Sequence, residues 1–266
     1  MGLIDFHCHI LPGLDDGPED LQQSLEMARI AVLDGISGIV CTPHLSTSFP
    51  GNNRKVILAA VEALRSRLKD EEIELELYPG CEMAIDSDLP EEMAAGELLS
   101  LNDNGNAALI EMPVEMVLPD MMMKFFAIMQ LKGITPILAH PERNHQLAKN
   151  PPILSEWIEA GVLVQITGDS LKGHYGGRIR DFSLKLLNQR MVHFVGTDSH
   201  NPHSRRPVLS EARAIVESAL GAEEAQKIFY ENPAAVLNGK IPNAMPTIPF
   251  EKKPGFSFRR IFHFRR

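Results

Sequence analysis

Short apolar runs alternate with helix-like segments along most of this chain, and that order dictates parallel pairing. The runs fall at residues 3–6, 38–41, 73–78, 107–111, 135–139, 163–166 and 192–195. They are rich in Ile, Val and Leu and are bounded by turn residues. Between them, Leu21, Leu25, Ala28 and Val32 recur at helical spacing behind Glu19 and Asp20, with Gly35 as a stop. Ile57, Val61, Leu64 and Leu68 repeat the pattern. Segments 119–132 and 152–160 begin at Pro and end at Gly133 and Gly161. Parallel strands need right-handed crossovers. Seven such repeats predict a distorted seven-stranded β/α barrel over an open sheet. After Val208 only helices are expected, over 208–220, 222–230 and 233–237. Met121, Met122, Met123, Phe125 and Phe126 are read as helix packing.

The chain has 266 residues, and barrels of this kind run to roughly 250 residues as one unit. A single domain over 1–242 is expected, followed by a basic aromatic tail over 243–266. Net charge is −9, which argues against a nucleic-acid surface. The sign is uneven: residues 251–266 carry +5, leaving −14 on the rest. No apolar run approaches the ~20 residues of a membrane span, and no signal peptide precedes the first strand, so a cytoplasmic protein is expected. Three cysteines, Cys8, Cys41 and Cys81, lack zinc-ribbon spacing and suit a reducing compartment.

The residues that follow the strands carry the chemistry. His7 and His9 close the first run, two apart, so they share a face while Cys8 turns away. Thr42-Pro43-His44 follows the second run and Gly80-Cys81-Glu82 the third. Glu111 ends the fourth, His140 follows the fifth, and Asp198 and His200 follow the seventh. With Asp16 from the first loop, nine potential ligands gather at the strand ends, where parallel barrels place their active sites. Singly, His44 or His140 would read as a core or capping histidine, and Glu111 as a solvated carboxylate. Together, five of the ten histidines and four carboxylates on one rim point to metal. At about four to six ligands per ion, they suit two or three divalent cations. The lack of thiolates favours Mn²⁺, Fe or catalytic Zn²⁺. Each cysteine lies an odd number of residues from a ligand, so alternation assigns it to packing.

Beyond single residues, longer stretches carry a resemblance. They are Ile4-Asp5-Phe6-His7-Cys8-His9-Ile10-Leu11-Pro12-Gly13, Asp15-Asp16-Gly17-Pro18, Thr42-Pro43-His44 and Gly80-Cys81-Glu82. Leu138-Ala139-His140-Pro141-Glu142-Arg143, Ser170-Leu171-Lys172-Gly173 and Ser199-His200-Asn201 with Arg205 complete the set. The chain resembles the PHP (polymerase and histidinol phosphatase) superfamily, and within it the manganese-dependent protein-tyrosine phosphatases of capsular and exopolysaccharide operons. The resemblance spans about residues 3–240. It implies a distorted seven-stranded barrel, Mn²⁺ and hydrolysis of phosphotyrosine on the tail of a membrane-associated bacterial tyrosine kinase. It also implies His7, His9, Glu82 and Asp198 around one ion, Glu82, Glu111 and His140 around a second, and Asp16, His44 and His200 around a third. Arg143 and Arg205 would hold the phosphate, with Arg206 the alternative to Arg205.

A phosphate monoester is a dianion, so its hydrolysis calls for cations and a metal-activated hydroxide. A planar guanidinium binds its oxygens bidentately. The leaving phenol, of pKa ~10, needs no strong general acid. A cysteine-phosphatase mechanism is excluded, because the residues six positions after the cysteines are Leu14, Thr47 and Ser87, none an arginine. Three rivals remain: another PHP phosphoesterase such as a histidinol phosphatase, a metal-dependent nuclease or amidohydrolase, and a non-catalytic regulator. Segment 252–266 interleaves aromatics with Lys and Arg; it suits either an anionic membrane surface, peripheral to the cytoplasm, or plain solvation.

Overall fold

The computed structural model of the protein describes residues 2–113, 118–242 and 246–249. Nine parallel strands are present among them: β1 (Leu3–Cys8), β2 (Ile36–Cys41), β3 (His44–Leu45), β4 (Glu76–Pro79), β5 (Glu82–Ala84), β6 (Ala107–Glu111), β7 (Thr135–Ala139), β8 (Leu163–Thr167) and β9 (Phe194–Gly196). Helices α1 (Leu21–Leu33), α2 (Arg54–Asp70), α3 (Leu89–Ala94), α4 (Pro119–Leu131), α5 (His145–Lys149) and α6 (Pro152–Glu159) lie between them. So do α7 (Gly168–Lys172) and α8 (Gly177–Asn188), and α9 (Ser210–Leu220), α10 (Ala222–Gln226) and α11 (Asn232–Leu237) follow the last strand.

The strands form two sheets, ordered β1-β2-β4 and β3-β5-β6-β7-β8-β9. The architecture is a curled parallel α/β sheet in which the expected second and third strands are each interrupted. Thr42-Pro43 separates β2 from β3, and Gly80-Cys81 separates β4 from β5. Pro43 has no N–H to donate to a ladder. Two hydrogen bonds span the breaks: Thr42 N–H to the Cys8 carbonyl at 3.0 Å, and Glu82 N–H to the Pro43 carbonyl at 3.1 Å. β9 abuts β1 through a parallel bridge between Cys8 and Ser199. Asp198 N–H donates to the His7 carbonyl at 2.7 Å. Gly196 permits that approach, since a Cβ there would lie 2.6 Å from the Cβ of His7.

The helices follow the physics of their ends. Asp20 and Asn53 cap α1 and α2 by accepting from the N–H groups of Gln23 and Val56 at 2.9 and 3.1 Å. Ile57, Val61, Leu64 and Leu68 of α2 are all buried. In α4, Met122, Phe126 and Met129 pack inward, whereas Met121 is 63% exposed, so it does not share the packing role expected of the methionine run. The expected strand at 73–78 starts only at Glu76, because Ile73 N–H is still tied to the Leu68 carbonyl of α2 at 2.9 Å. The last predicted strand, 192–195, is shifted to Phe194–Gly196. The helix expected over 222–230 is split into α10 and a π turn at Lys227–Glu231.

Two apolar clusters hold the sheet. The larger packs helices on its outer face. The smaller fills the inside with Ile4, Phe6, Val40, Leu109, Ile137 and Phe194 among others, closed by Val236 and Leu237 of α11. Phe6 and Phe194 stack there at 4.1 Å. Of the expected tail, only 246–249 falls within the described residues; Ile248 N–H donates to the Gln189 carbonyl at 3.0 Å. Segment 252–266, with its expected membrane contact, lies outside them. No helix among the described residues is long and apolar enough to cross a membrane.

Candidate metal centre

β1 begins with Ile4 and Phe6 in the inner cluster and Leu3 in the outer one. Strict alternation would then turn His7 outward. The β1–β2 register slips between Asp5 and Cys8, however. Such an irregularity re-aims the side chains beyond it. His7 and His9 therefore face the same side, their Nε2 atoms 3.1 Å apart, while Cys8 joins the outer cluster. Asp5 steadies this turn. Its buried carboxylate accepts from Thr197 N–H and Oγ1–H at 2.8 and 2.6 Å and from His7 N–H at 3.3 Å. Burial pushes its pKa up to about 6 despite these bonds.

All nine expected ligands converge. Their candidate ligand atoms fall into four overlapping groups, each within 4.8 Å: His9, Asp16, His44 and His200; His7, His9 and Asp198; His7, Glu82 and His140; and His44, Glu82 and Glu111. Glu82 is the hub. Ring nitrogens of His140, His44, His7 and His9 stand 2.8, 3.1, 3.2 and 3.4 Å from its carboxylate. Asp198 Oδ1 lies 3.5 and 3.4 Å from Nε2 of His7 and His9. Asp16 Oδ1 lies 3.3 Å from His200 and 3.6 Å from His44. The groups run together more than the three-way division implied by the resemblance: His9 also reaches the Asp16 group, and His44 also reaches Glu111, at 3.9 Å.

Residues that sequence reasoning passed over set the tautomers. His9 Nδ1–H donates to Asp15 at 2.7 Å, His7 Nδ1–H to the Gln165 amide oxygen at 3.0 Å, and His200 Nδ1–H to the Asp198 carbonyl at 2.9 Å. In each neutral ring the Nε2 lone pair then faces the cluster, the arrangement typical of metal-binding histidines. The signal for Asp15 was present in the Asp15-Asp16 pair, of which only the second had been taken as functional. Gln165, at the centre of a strand, gave no local signal.

The donor set fits divalent cations. Two lone-pair nitrogens at 3.1 Å repel each other unless a cation lies between them. Both Glu82 oxygens are buried without a hydrogen bond of good geometry. Burial would raise Glu82, yet His7 and His140 hold it well below the usual carboxylate range. Glu111 is pushed up by burial and by the charge of Glu82. Asp16 is held down to about 2, first by its bond to His200. His140 (φ 32) and Asp198 (φ 52) adopt left-handed backbone, a strain typical of functional positions.

Both expected arginines reach this cluster. Nη2 of Arg143 lies 2.6 Å from Asp198 Oδ2 and 2.8 Å from Thr167 Oγ1. Nη2 of Arg205 donates to the same Oδ2 at 2.7 Å and to the Asp198 carbonyl at 2.9 Å. Arg206 is exposed. The three cysteines are free and buried, and burial pushes Cys41 and Cys81 up to about 12, which leaves no thiolate for catalysis.

A parallel α/β fold with clustered imidazoles and carboxylates at its strand ends defines the class of metal-centred hydrolase scaffolds. More particularly, the chain belongs to the CpsB/CapC family of capsular polysaccharide synthesis, whose profile matches residues 3–238. It is 38% identical over 256 residues to the tyrosine-protein phosphatase YwqE of Bacillus subtilis, covering 96% of this chain and 100% of that protein. It is 29% identical over 240 residues to the tyrosine-protein phosphatase CpsB of Streptococcus agalactiae serotype III, covering 88% and 98%. A chain from the crystal structures of YwqE from Bacillus subtilis and CpsB from Streptococcus pneumoniae, described as metal-dependent tyrosine phosphatases, matches with a TM-score of 0.88. That match has 38% identity and covers 94% of this chain and 100% of the other. A histidinol phosphate phosphatase from Lactococcus lactis shares the fold, with a TM-score of 0.54 at 18% identity.

Proposed function

We propose that this protein is a metal-dependent protein-tyrosine phosphatase. The observation that carries the reading is the meeting of a cation-type ligand cluster and two guanidinium groups on one residue, Asp198. Nothing but a cation attracts the first, and an anion of fixed shape suits the second. His7, His9, Asp16, His44, Glu82, Glu111, His140, Asp198 and His200 would hold two or three divalent ions, Mn²⁺ in our reading. Such ions supply an activated water and offset the negative charge of the phosphoryl group.

The chain's own residues do the rest. Asp15, Gln165 and the Asp198 carbonyl fix the ring tautomers that keep Nε2 free to ligate. Arg143 and Arg205 turn guanidinium faces to the phosphoryl oxygens and orient the ester. Thr167 holds Arg143 through its hydroxyl. Asn201 Oδ1 accepts from His203 and Ser204 N–H at 3.0 and 2.8 Å, so the turn that carries Arg205 is fixed. We also read β2 with β3, and β4 with β5, as single interrupted strands, which makes seven around the centre. The barrel over 1–242 is the catalytic unit in this reading. The substrate is the phosphotyrosine tail of a membrane-associated bacterial tyrosine kinase.

Turnover of a phosphotyrosine peptide beside histidinol phosphate tests this reading. Faster hydrolysis of the peptide, lost on chelation and restored best by Mn²⁺, is expected. Preference for histidinol phosphate would replace it with a sister phosphoesterase activity.

A further inference from the structure

The Ser170-Leu171-Lys172-Gly173 motif contributes no ligand, yet its segment is built with care. α7 stops at Gly173, in left-handed backbone (φ 88), whose N–H donates to the Asp169 and Ser170 carbonyls at 3.1 and 3.2 Å. His174 N–H donates to the Asp169 carbonyl at 3.0 Å, and its ring lies 3.2 Å from the Asp169 carboxylate. Gly176 (φ 92) donates to the Gly173 carbonyl at 2.9 Å and opens α8. Glu142, beside Arg143, accepts from Thr167 N–H and Ser170 Oγ1-type hydroxyl contact at 2.9 and 2.7 Å, locking α7 to the strand that precedes it.

What this turn delivers is Tyr175. The guanidinium carbon of Arg143 lies 4.4 Å from the centre of its ring, a cation–π contact. The residue is only partly buried, but its phenolic oxygen is fully covered and has no hydrogen-bond partner. The Nε groups of Arg143 and Arg205 are buried and unpartnered in the same way. Buried polar groups are rarely left so, and an orphan in a native site asks for a partner. The charges of Arg143, Arg205 and Asp198 all act on the phenol, which places it in the same electrostatic neighbourhood. Burial raises its pKa, so it keeps its proton and is a donor near neutral pH.

We propose that Tyr175 is a substrate-binding residue whose Oη–H donates to a phosphoryl oxygen, as a third donor beside Arg143 and Arg205. This rests on the phosphatase reading above. The ring holds Arg143 in place and the hydroxyl completes the oxyanion cradle.

Tyr175→Phe keeps the ring over Arg143 and removes only the donor. A hydrogen bond to a charged partner is worth about tenfold or more in affinity. We expect inorganic phosphate, titrated by calorimetry into the metal-loaded protein, to bind about tenfold more weakly to this variant. KM for a phosphotyrosine peptide should rise by a similar factor while kcat changes little, the signature of lost ground-state binding. Tyr175→Leu should lose more, because Arg143 is freed as well. If Tyr175→Phe binds phosphate and peptide as the unaltered protein does, while Tyr175→Leu is impaired, Tyr175 only packs Arg143 and the proposal is overturned. If the unaltered protein turns over no phosphotyrosine peptide, the phosphatase reading fails by itself, and the phosphate titration still decides whether the phenol is a donor.

Discussion

Histidine does opposite things at the two ends of this sheet. His7, where β1 ends, and His193, just before β9 begins, are both buried. Burial lowers a histidine's pKa, yet at His7 the carboxylates of Glu82 and Asp198 outweigh it and the value rises. At His193 nothing opposes burial, and the value falls to about 4. His193 accepts the Val164 N–H at Nδ1 (3.0 Å), the reverse of the donating Nδ1 of His7. One histidine is a structural acceptor in an apolar wall; the other belongs to a cluster short of positive charge. Burial does not separate them. The neighbouring carboxylates do.

Several changes would break or sharpen that contrast. The largest effect should come from Asp198→Ala or His140→Ala at the rim. Losing a ligand should lower phosphotyrosine-peptide turnover on the order of 10³-fold or more, with circular dichroism unchanged. At the other end the effect should be on stability. The folded value of His193 lies below that of a free imidazole, so the unfolded chain binds the extra proton. Its contribution is complete above about pH 6.5 and is lost as pH falls toward about 4, up to roughly 3 kcal/mol. Urea midpoints measured across that window should fall less steeply for His193→Asn, and an unchanged slope would remove His193 from the account. Next comes Asp15→Asn, which keeps the shape but weakens the acceptor of His9. About 10–100-fold in metal affinity or activity is expected, read by metal titration. The smallest change is Arg206→Ala, which should leave turnover within about twofold because an exposed side chain away from the site changes little. Arg205→Ala, by contrast, should show a clear loss.

Much of this was legible beforehand. The alternation of strands and helices gave the parallel sheet, and the strand-end rule gathered His7, Glu82, His140 and Asp198 from distant parts of the sequence. Two things were not. Strand continuity failed at Pro43 and Gly80, since breaks of two residues leave the hydrophobic pattern intact. The supporting residues were also hidden. Gln165, Thr167 and Asp5 sit inside strands, where a polar residue announces no partner until the fold supplies one. Tyr175 shows the same limit: its motif was visible, but only the turn at Gly173 and Gly176 brings its hydroxyl to Arg143.

The central claim is that the rim cluster binds divalent metal and that this metal is required for phosphotyrosine hydrolysis. Elemental analysis of the purified protein, before and after exhaustive chelation and beside peptide turnover, tests it most directly. The account predicts more than one divalent ion per chain, lost together with activity and regained with it on adding metal. Full turnover by a protein stripped of metal would contradict it.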